Sequence, residues 1–227
     1  MPHALFLKRR RSLLLSWSST ALLGSAGIAG LIGKALAAGN PPATQGIRRS
    51  SGKVTINGAT AREGMLVRHG DNIVTGADSE AVYVIGQDAF MQRAQTSVSF
   101  GDSAAAGALR VISGKLLSVF GKGERSIVTS TATIGIRGTG CYIEAEAERV
   151  YFCLCYGAAD LVPTAAPAER ELIRTTHHDH PLYVYNDMKM PKMMVPAEVI
   201  NHSDAELILL ESLVGRLPPF DGGQVYK

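Results

Sequence analysis

The sequence predicts an all-β protein, a sandwich, roll or solenoid of short strands, with one short C-terminal helix and an N-terminal signal helix. Three observations lead there. Between Gly52 and Gly157 short runs rich in Val, Ile, Thr and aromatics recur about every ten residues, each closed by Gly, Asp, Asn or Ser. The same stretch has almost no helical period. A capped helical pattern is found only beyond Asn201.

The first residues read as an export signal. Lys8-Arg9-Arg10-Arg11 precedes a charge-free run of small and apolar residues from Leu13 to Ile32, and Ala35-Leu36-Ala37 suits a signal peptidase, giving a signal peptide over 1–38. Arg10-Arg11-Ser12-Leu13-Leu14 resembles a twin-arginine signal. The alternative is an uncleaved anchor, since the run approaches the ~20 residues that span a bilayer; Ser16, Ser18, Ser19, Thr20, Ser25 and several glycines dilute it. Either reading places the rest of the chain in the periplasm, with any membrane contact made by the N-terminal segment. Five of the 23 Lys and Arg precede Ala38 and none of the 20 Asp and Glu do, so 18 basic and 20 acidic residues remain and the mature charge is −2. A chain without a basic surplus has no electrostatic case for nucleic-acid binding.

Residues 39–51, opening Gly39-Asn40-Pro41-Pro42, read as a flexible linker, and 52–157 as the β-domain. Val54 and Ile56 lead into the hairpin dipeptide Asn57-Gly58. Met65 and Val67 precede Gly70-Asp71, and Ile73-Val74 precedes Gly76-Ala77-Asp78-Ser79. Strands are then expected at 81–85, 96–100, 108–112, 116–120, 127–129, 133–136, 141–144 and 150–156. Beyond Gly157 a C-terminal extension (158–227) holds a small-residue loop, possible strands at 169–176 and 182–185, the polar run His177-His178-Asp179-His180-Pro181 and a methionine-rich stretch from Met188 to Pro196. A helix is expected at about 204–214. Ser203 and Glu206 form a capping box, Leu207, Leu210, Leu213 and Val214 share a face, and Gly215 with Pro218-Pro219 ends it.

"GDNIVTGADSEAVYVI" (70–85), "LRVISGKLLSVF" (109–120) and "VTSTATIGIRGTGCYIE" (128–144) resemble the FecR domain of bacterial cell-envelope proteins, most specifically through the Ile-x-Ile-Arg-Gly-Thr-x-x-Tyr run from Ile134 to Tyr142. The resemblance implies a periplasmic β-domain that senses or binds an envelope protein, a glycan or a small ligand. In proteins resembling the iron-dicitrate regulator, a cytoplasmic region restrains a sigma factor; about twelve residues precede the apolar run here, so that half is not carried over. Ser130 stands where the family pattern has Pro. In the motif itself Gly70, Asp71 and Gly76 supply turns. Gly138 and Gly140 suggest a bulge beside Thr139, and Arg137 is expected to pair with a carboxylate or carbonyl at a strand end.

All three cysteines lie in one stretch. If residue 145 pairs with 149, Cys141 faces Cys153 at disulfide reach; a register shifted by one puts them on opposite faces. Cys153 and Cys155 share a face at i, i+2. Three readings stay open: buried apolar thiols, one cross-strand disulfide, or a transition-metal site built from Cys153, Cys155 and histidines drawn from His177, His178, His180 and His202. No nucleophile elbow, carboxylate pair or phosphate loop is present, so no catalytic activity is expected. The functional expectation is a periplasmic binding or sensing module without a required cofactor, which engages a partner through a sheet face or by strand addition. The alternative is a metal-binding envelope protein.

Overall fold

A computed structural model describes residues 44–101 and 108–220, together with Gly30. The export signal expected over 1–38 and the last seven residues of the chain lie outside the described residues, apart from Gly30. Among the described residues no helix is long and apolar enough to cross a membrane.

The protein is all-β with one short C-terminal helix. Among the described residues fourteen strands form a single hydrogen-bonded sheet: β1 Gly46–Ser51, β2 Val54–Ile56, β3 Ala59–Thr60, β4 Asn72–Thr75, β5 Glu80–Ile85, β6 Asp88–Gln92, β7 Ser97–Phe100, β8 Ala108–Val119, β9 Glu124–Val128, β10 Ala132–Ala145, β11 Arg149–Pro163, β12 Glu171–Thr175, β13 Leu182–Tyr185 and β14 Met194–Pro196. The main order is β14-β13-β11-β10-β9-β8-β7-β4-β2-β3, with β1, β5 and β6 joined through β8 and with β12 on β11. All pairings are antiparallel except β8 with β9.

Three long strands organise the sheet by changing partners along their length. β8 pairs with β7 in its first half and with β6 and β10 in its second. β10 pairs with β9 early and β8 late. β11 takes β13 at its start and β12 at its end. This explains two differences from the sequence reading. The strands expected at 108–112 and 116–120 are one strand, and so are those at 133–136 and 141–144. Glycines within these strands bend them without ending them. Gly114 sits at φ 87°, with the Gln95–Thr96 backbone against the place a side chain would fill. The β10–β11 register slips between Arg137 and Cys141, and the Tyr156 ring lies over Gly140, where any Cβ would collide with it.

Two boundaries also move. The linker expected over 39–51 ends earlier, because Gly46–Ser51 pairs with β5 and Ile47 is buried. The expected domain limit at Gly157 falls inside β11, and β12, β13 and β14 extend the same sheet, so the C-terminal extension shares its core with what precedes it.

The sheet curls around a large apolar core formed by Ile47, Ile73, Tyr83, Phe90, Leu116, Ile134, Ile143 and Phe152 among others. Fully burying side chains of this size contributes about 1.5–3 kcal/mol each. A second cluster lies on the outer face of β5, β6, β8, β10 and β11. There Val82, Val84, Met91, Leu117, Val119 and Tyr142 meet Leu207, Leu209 and Leu210. Those leucines belong to α1 (Asp204–Leu213), which begins with the expected Ser203–Glu206 capping box. The Arg93 side chain ties the helix down through the Asn201 carbonyl and Glu206, each at 2.8 Å.

Candidate metal centre

The β10–β11 turn decides where the thiols go. Ala145 pairs with Val150, so Cys141 stands opposite Leu154, and Tyr142 opposite Cys153. This is the shifted register. Cys141 enters the inner core, whereas Cys153 and Cys155 point to the outer face beneath α1. A Cys141–Cys153 disulfide is therefore ruled out by the pleat, and all three thiols are free and buried.

Two histidines close over the outer pair. His178 sits in the loop after β12 at φ 50°, a left-handed position, and its backbone N–H donates to the Cys155 carbonyl at 3.0 Å. His202 lies two residues before α1, with its ring stacked on Tyr142 at 4.7 Å between centroids. One donor atom each from Cys153, Cys155, His178 and His202 lies within 4.8 Å of the other three, and all four residues are buried.

The outer partners of the two rings define what faces inward. His202 Nδ1 is 2.6 Å from the Ile200 carbonyl. A carbonyl only accepts, so Nδ1 carries the proton and Nε2 presents its lone pair to the centre. His178 Nε2 lies 3.3 Å from Asp204 Oδ1, and a carboxylate accepts in the same way, which turns the His178 Nδ1 lone pair inward. These two nitrogens meet at 3.0 Å, and His178 Nδ1 is 3.5 Å from Cys153 Sγ. Two lone pairs repel at that distance unless a proton or a cation lies between them. Four ligands at Zn–S about 2.3 Å and Zn–N about 2.0–2.1 Å around a tetrahedron stand about 3.3–3.8 Å apart, against 3.0 Å between the two nitrogens, 3.5 Å from His178 to Cys153, and 4.8 Å as the limit for the whole set. The arrangement also has the outer shell that metal-binding histidines use: a carboxylate behind one ring and a carbonyl behind the other.

The site lowers the Cys153 thiol well below its ordinary range, chiefly through its hydrogen bond with Cys155, against the opposing effect of burial. Burial raises Cys155 and Cys141. Cys153 is thus the group poised to ionise and ligate.

Of the six residues singled out in the sequence, the structure brings Cys153, Cys155, His178 and His202 into one cluster. His177 stands one step out. Its Nε2 is 3.0 and 3.1 Å from the two Asp204 oxygens, and its ring packs 4.5 Å from that of Phe220. His177, His178 and Asp204 form a second, overlapping group of close donors. His180 lies elsewhere, half exposed and 2.8 Å from Glu171. His202, the other expected candidate in the cluster, and Asp204, which the sequence reading did not single out, come from a segment distant in sequence. The only sequence signal of Asp204 was an acid at the start of the capped helix.

The motif residues have structural duties. Asp71 accepts from the Arg68 N–H and the Asn57 amide, both at 2.7 Å, with Gly70 at φ 90°. The Gly76 N–H donates to the Lys53 carbonyl at 2.8 Å. Thr139 is buried, with its carbonyl receiving the Phe120 N–H at 2.8 Å, and Gly138 takes φ 58° at the bulge. The pairing expected for Arg137 does not occur. The bulge leaves its side chain exposed, and among the described residues it makes no ion pair.

No family model matches the sequence, and no curated protein matches it. Two crystal structures of a candidate anti-sigma factor from Parabacteroides distasonis are similar in fold, each at 11% identity and a TM-score of 0.45 over 56% of this chain. The match spans 58% of that protein's length.

Proposed function

We propose that this protein is an exported β-module of the FecR type that binds one soft or borderline transition-metal ion through Cys153, Cys155, His178 and His202, and that the ion governs how the module engages an envelope partner. The observation that carries the reading is the meeting of His178 Nδ1 and His202 Nε2 at 3.0 Å beside two thiols, each ring held by an outer partner. Nitrogen and sulfur in a tetrahedral set suit Zn²⁺ best among divalent ions. Four protein ligands leave no open position for a substrate, which favours binding or sensing over catalysis.

The ligands come from β11, from the β12–β13 loop and from the residue before the Ser203 cap. An ion there joins α1 and its lead-in to the sheet, and metal binding becomes folding free energy for the outer layer. Export and the FecR type rest on the leader and on the motif from Ile134 to Tyr142.

The test uses the mature chain, residues 39–227, purified from periplasm without chelator. Elemental analysis is expected to find one metal ion per chain, or the reduced protein takes up one Zn²⁺ or Cu⁺ when titrated. The Cys153→Ser, Cys155→Ser double variant is expected to take up none. No uptake by the reduced, folded wild type, or equal uptake by the double variant, contradicts the reading.

A further inference from the structure

The cations of the motif stand apart from the metal centre. Arg137, Ala158 and Arg174 lie in one cross-strand row on β10, β11 and β12. Neighbouring strands are about 4.8 Å apart, so the two arginine backbones stand about 10 Å from each other with a methyl group between them. Lys122, Arg137, Gly138, Gly157, Ala158 and Arg174 line a groove of about 690 Å³. Its floor is glycine and alanine, which keeps it open to a ligand.

No ion pair among the described residues holds the cations of the groove. Lys122, Arg137 and Arg174 are exposed, and none makes an ion pair among the described residues. Glu124 stands opposite Arg137 in register without an ion pair to it, and Asp160, two rows further on, is bound by Arg170. Arg125, the remaining cation nearby, is bound to Asp88. Three cations without an ion pair among the described residues thus line one hollow. A guanidinium fork matches carboxylate and phosphate oxygens in two-point geometry, and two such forks across a small-residue floor select a compact ligand with more than one anionic oxygen.

We infer that the β9–β12 face is a binding site for a small anion bearing phosphate or carboxylate oxygens, held between Arg137 and Arg174 with Lys122 at the rim. The site shares no residue with the metal centre. It gives a role to Arg137, which makes no ion pair among the described residues.

Calorimetric titration of the mature protein with inorganic phosphate and, separately, with glutarate tests this at low ionic strength. At least one anion is expected to bind with a Kd below about 1 mM, equivalent to about −4 kcal/mol. Affinity is expected to fall at least tenfold in Arg137→Ala and in Arg174→Ala, and to recover in part in Arg137→Lys. The arm that binds identifies the source as phosphoryl or carboxylate. Thermal melting of each variant confirms folding, and metal uptake of the Arg137→Ala variant is expected to equal that of wild type. Failure of both anions to bind, or binding unchanged in the Arg137→Ala, Arg174→Ala double variant, overturns the inference without touching the metal centre.

Discussion

The two faces of β10 and β11 bury the same residue type to opposite ends. Cys141 on the inner face and Cys153 and Cys155 on the outer face are all inaccessible to solvent. Cys141 shares its core with leucines, isoleucines and phenylalanines. The outer thiols meet His178 and His202, each with a hydrogen-bonded outer partner. Burial alone makes cysteine a small hydrophobe; convergent nitrogen donors make it a ligand. The pleat sends alternate residues of one strand to these two environments, so a single-residue change of register would exchange them.

Substitutions on the two faces separate stability from metal affinity. The largest expected effect is on the inner face. Phe152→Ala removes a fully buried ring and is expected to cost about 3–5 kcal/mol in urea unfolding, with or without metal. On the outer face, Asp204→Asn is expected to weaken metal binding by about 10–100-fold, because the carboxylate that orients His178 is lost, as read by competition with a chelating dye. Equal affinity in that variant would break the distinction between the faces.

Glu211 on α1 is buried, 2.6 Å from the Arg216 guanidinium and hydrogen-bonded by the Tyr156 hydroxyl. Glu211→Ala is expected to cost about 2–3 kcal/mol by leaving both donors without their acceptor. Burial raises the Glu211 carboxyl, against the pull of Tyr156 and Arg216. The native state therefore favours its protonated form relative to the unfolded chain. The stability this adds is complete below the ordinary glutamate range, about 4.3, and is lost as pH rises through the raised native value. Unfolding free energies between pH 4 and 7 are expected to decline less with pH in Glu211→Gln than in wild type.

Two smaller effects sharpen the comparison. Cys141→Ser is expected to destabilise by about 1–3 kcal/mol, because it buries a hydroxyl among apolar side chains, while leaving metal stoichiometry at the wild-type value. His180→Ala is expected to change stability by less than about 0.5 kcal/mol and to leave metal affinity unchanged, since its ion pair with Glu171 is solvent-exposed.

The β-class and the capped helix were legible because both rest on local signals: short β-branched runs between turn residues, and Ser203 with Glu206. β13 at Leu182–Tyr185 has the limits expected for it. β6 was missed because Asp88-Ala-Phe-Met-Gln shows no alternation, being buried on both faces. β8 and β10 were split because a glycine that bends a strand reads like one that ends it. Half of the site was legible in the Cys153-x-Cys155 spacing and the histidine run. Choosing His178 and His202 over His177 and His180, and adding Asp204, required knowing that the loop after β12 and the lead-in to α1 fold over the same strand, a long-range fact without a local signature. The cysteine pairing turned on one residue of register at the β10–β11 turn.

X-ray absorption at the metal edge of the loaded mature protein tests the central claim most directly. The account predicts a first shell of two sulfurs at about 2.3 Å and two nitrogens at about 2.0–2.1 Å, with the sulfur contribution gone in the Cys153→Ser, Cys155→Ser variant. A shell of oxygen and nitrogen alone, or one unchanged by that substitution, would contradict it.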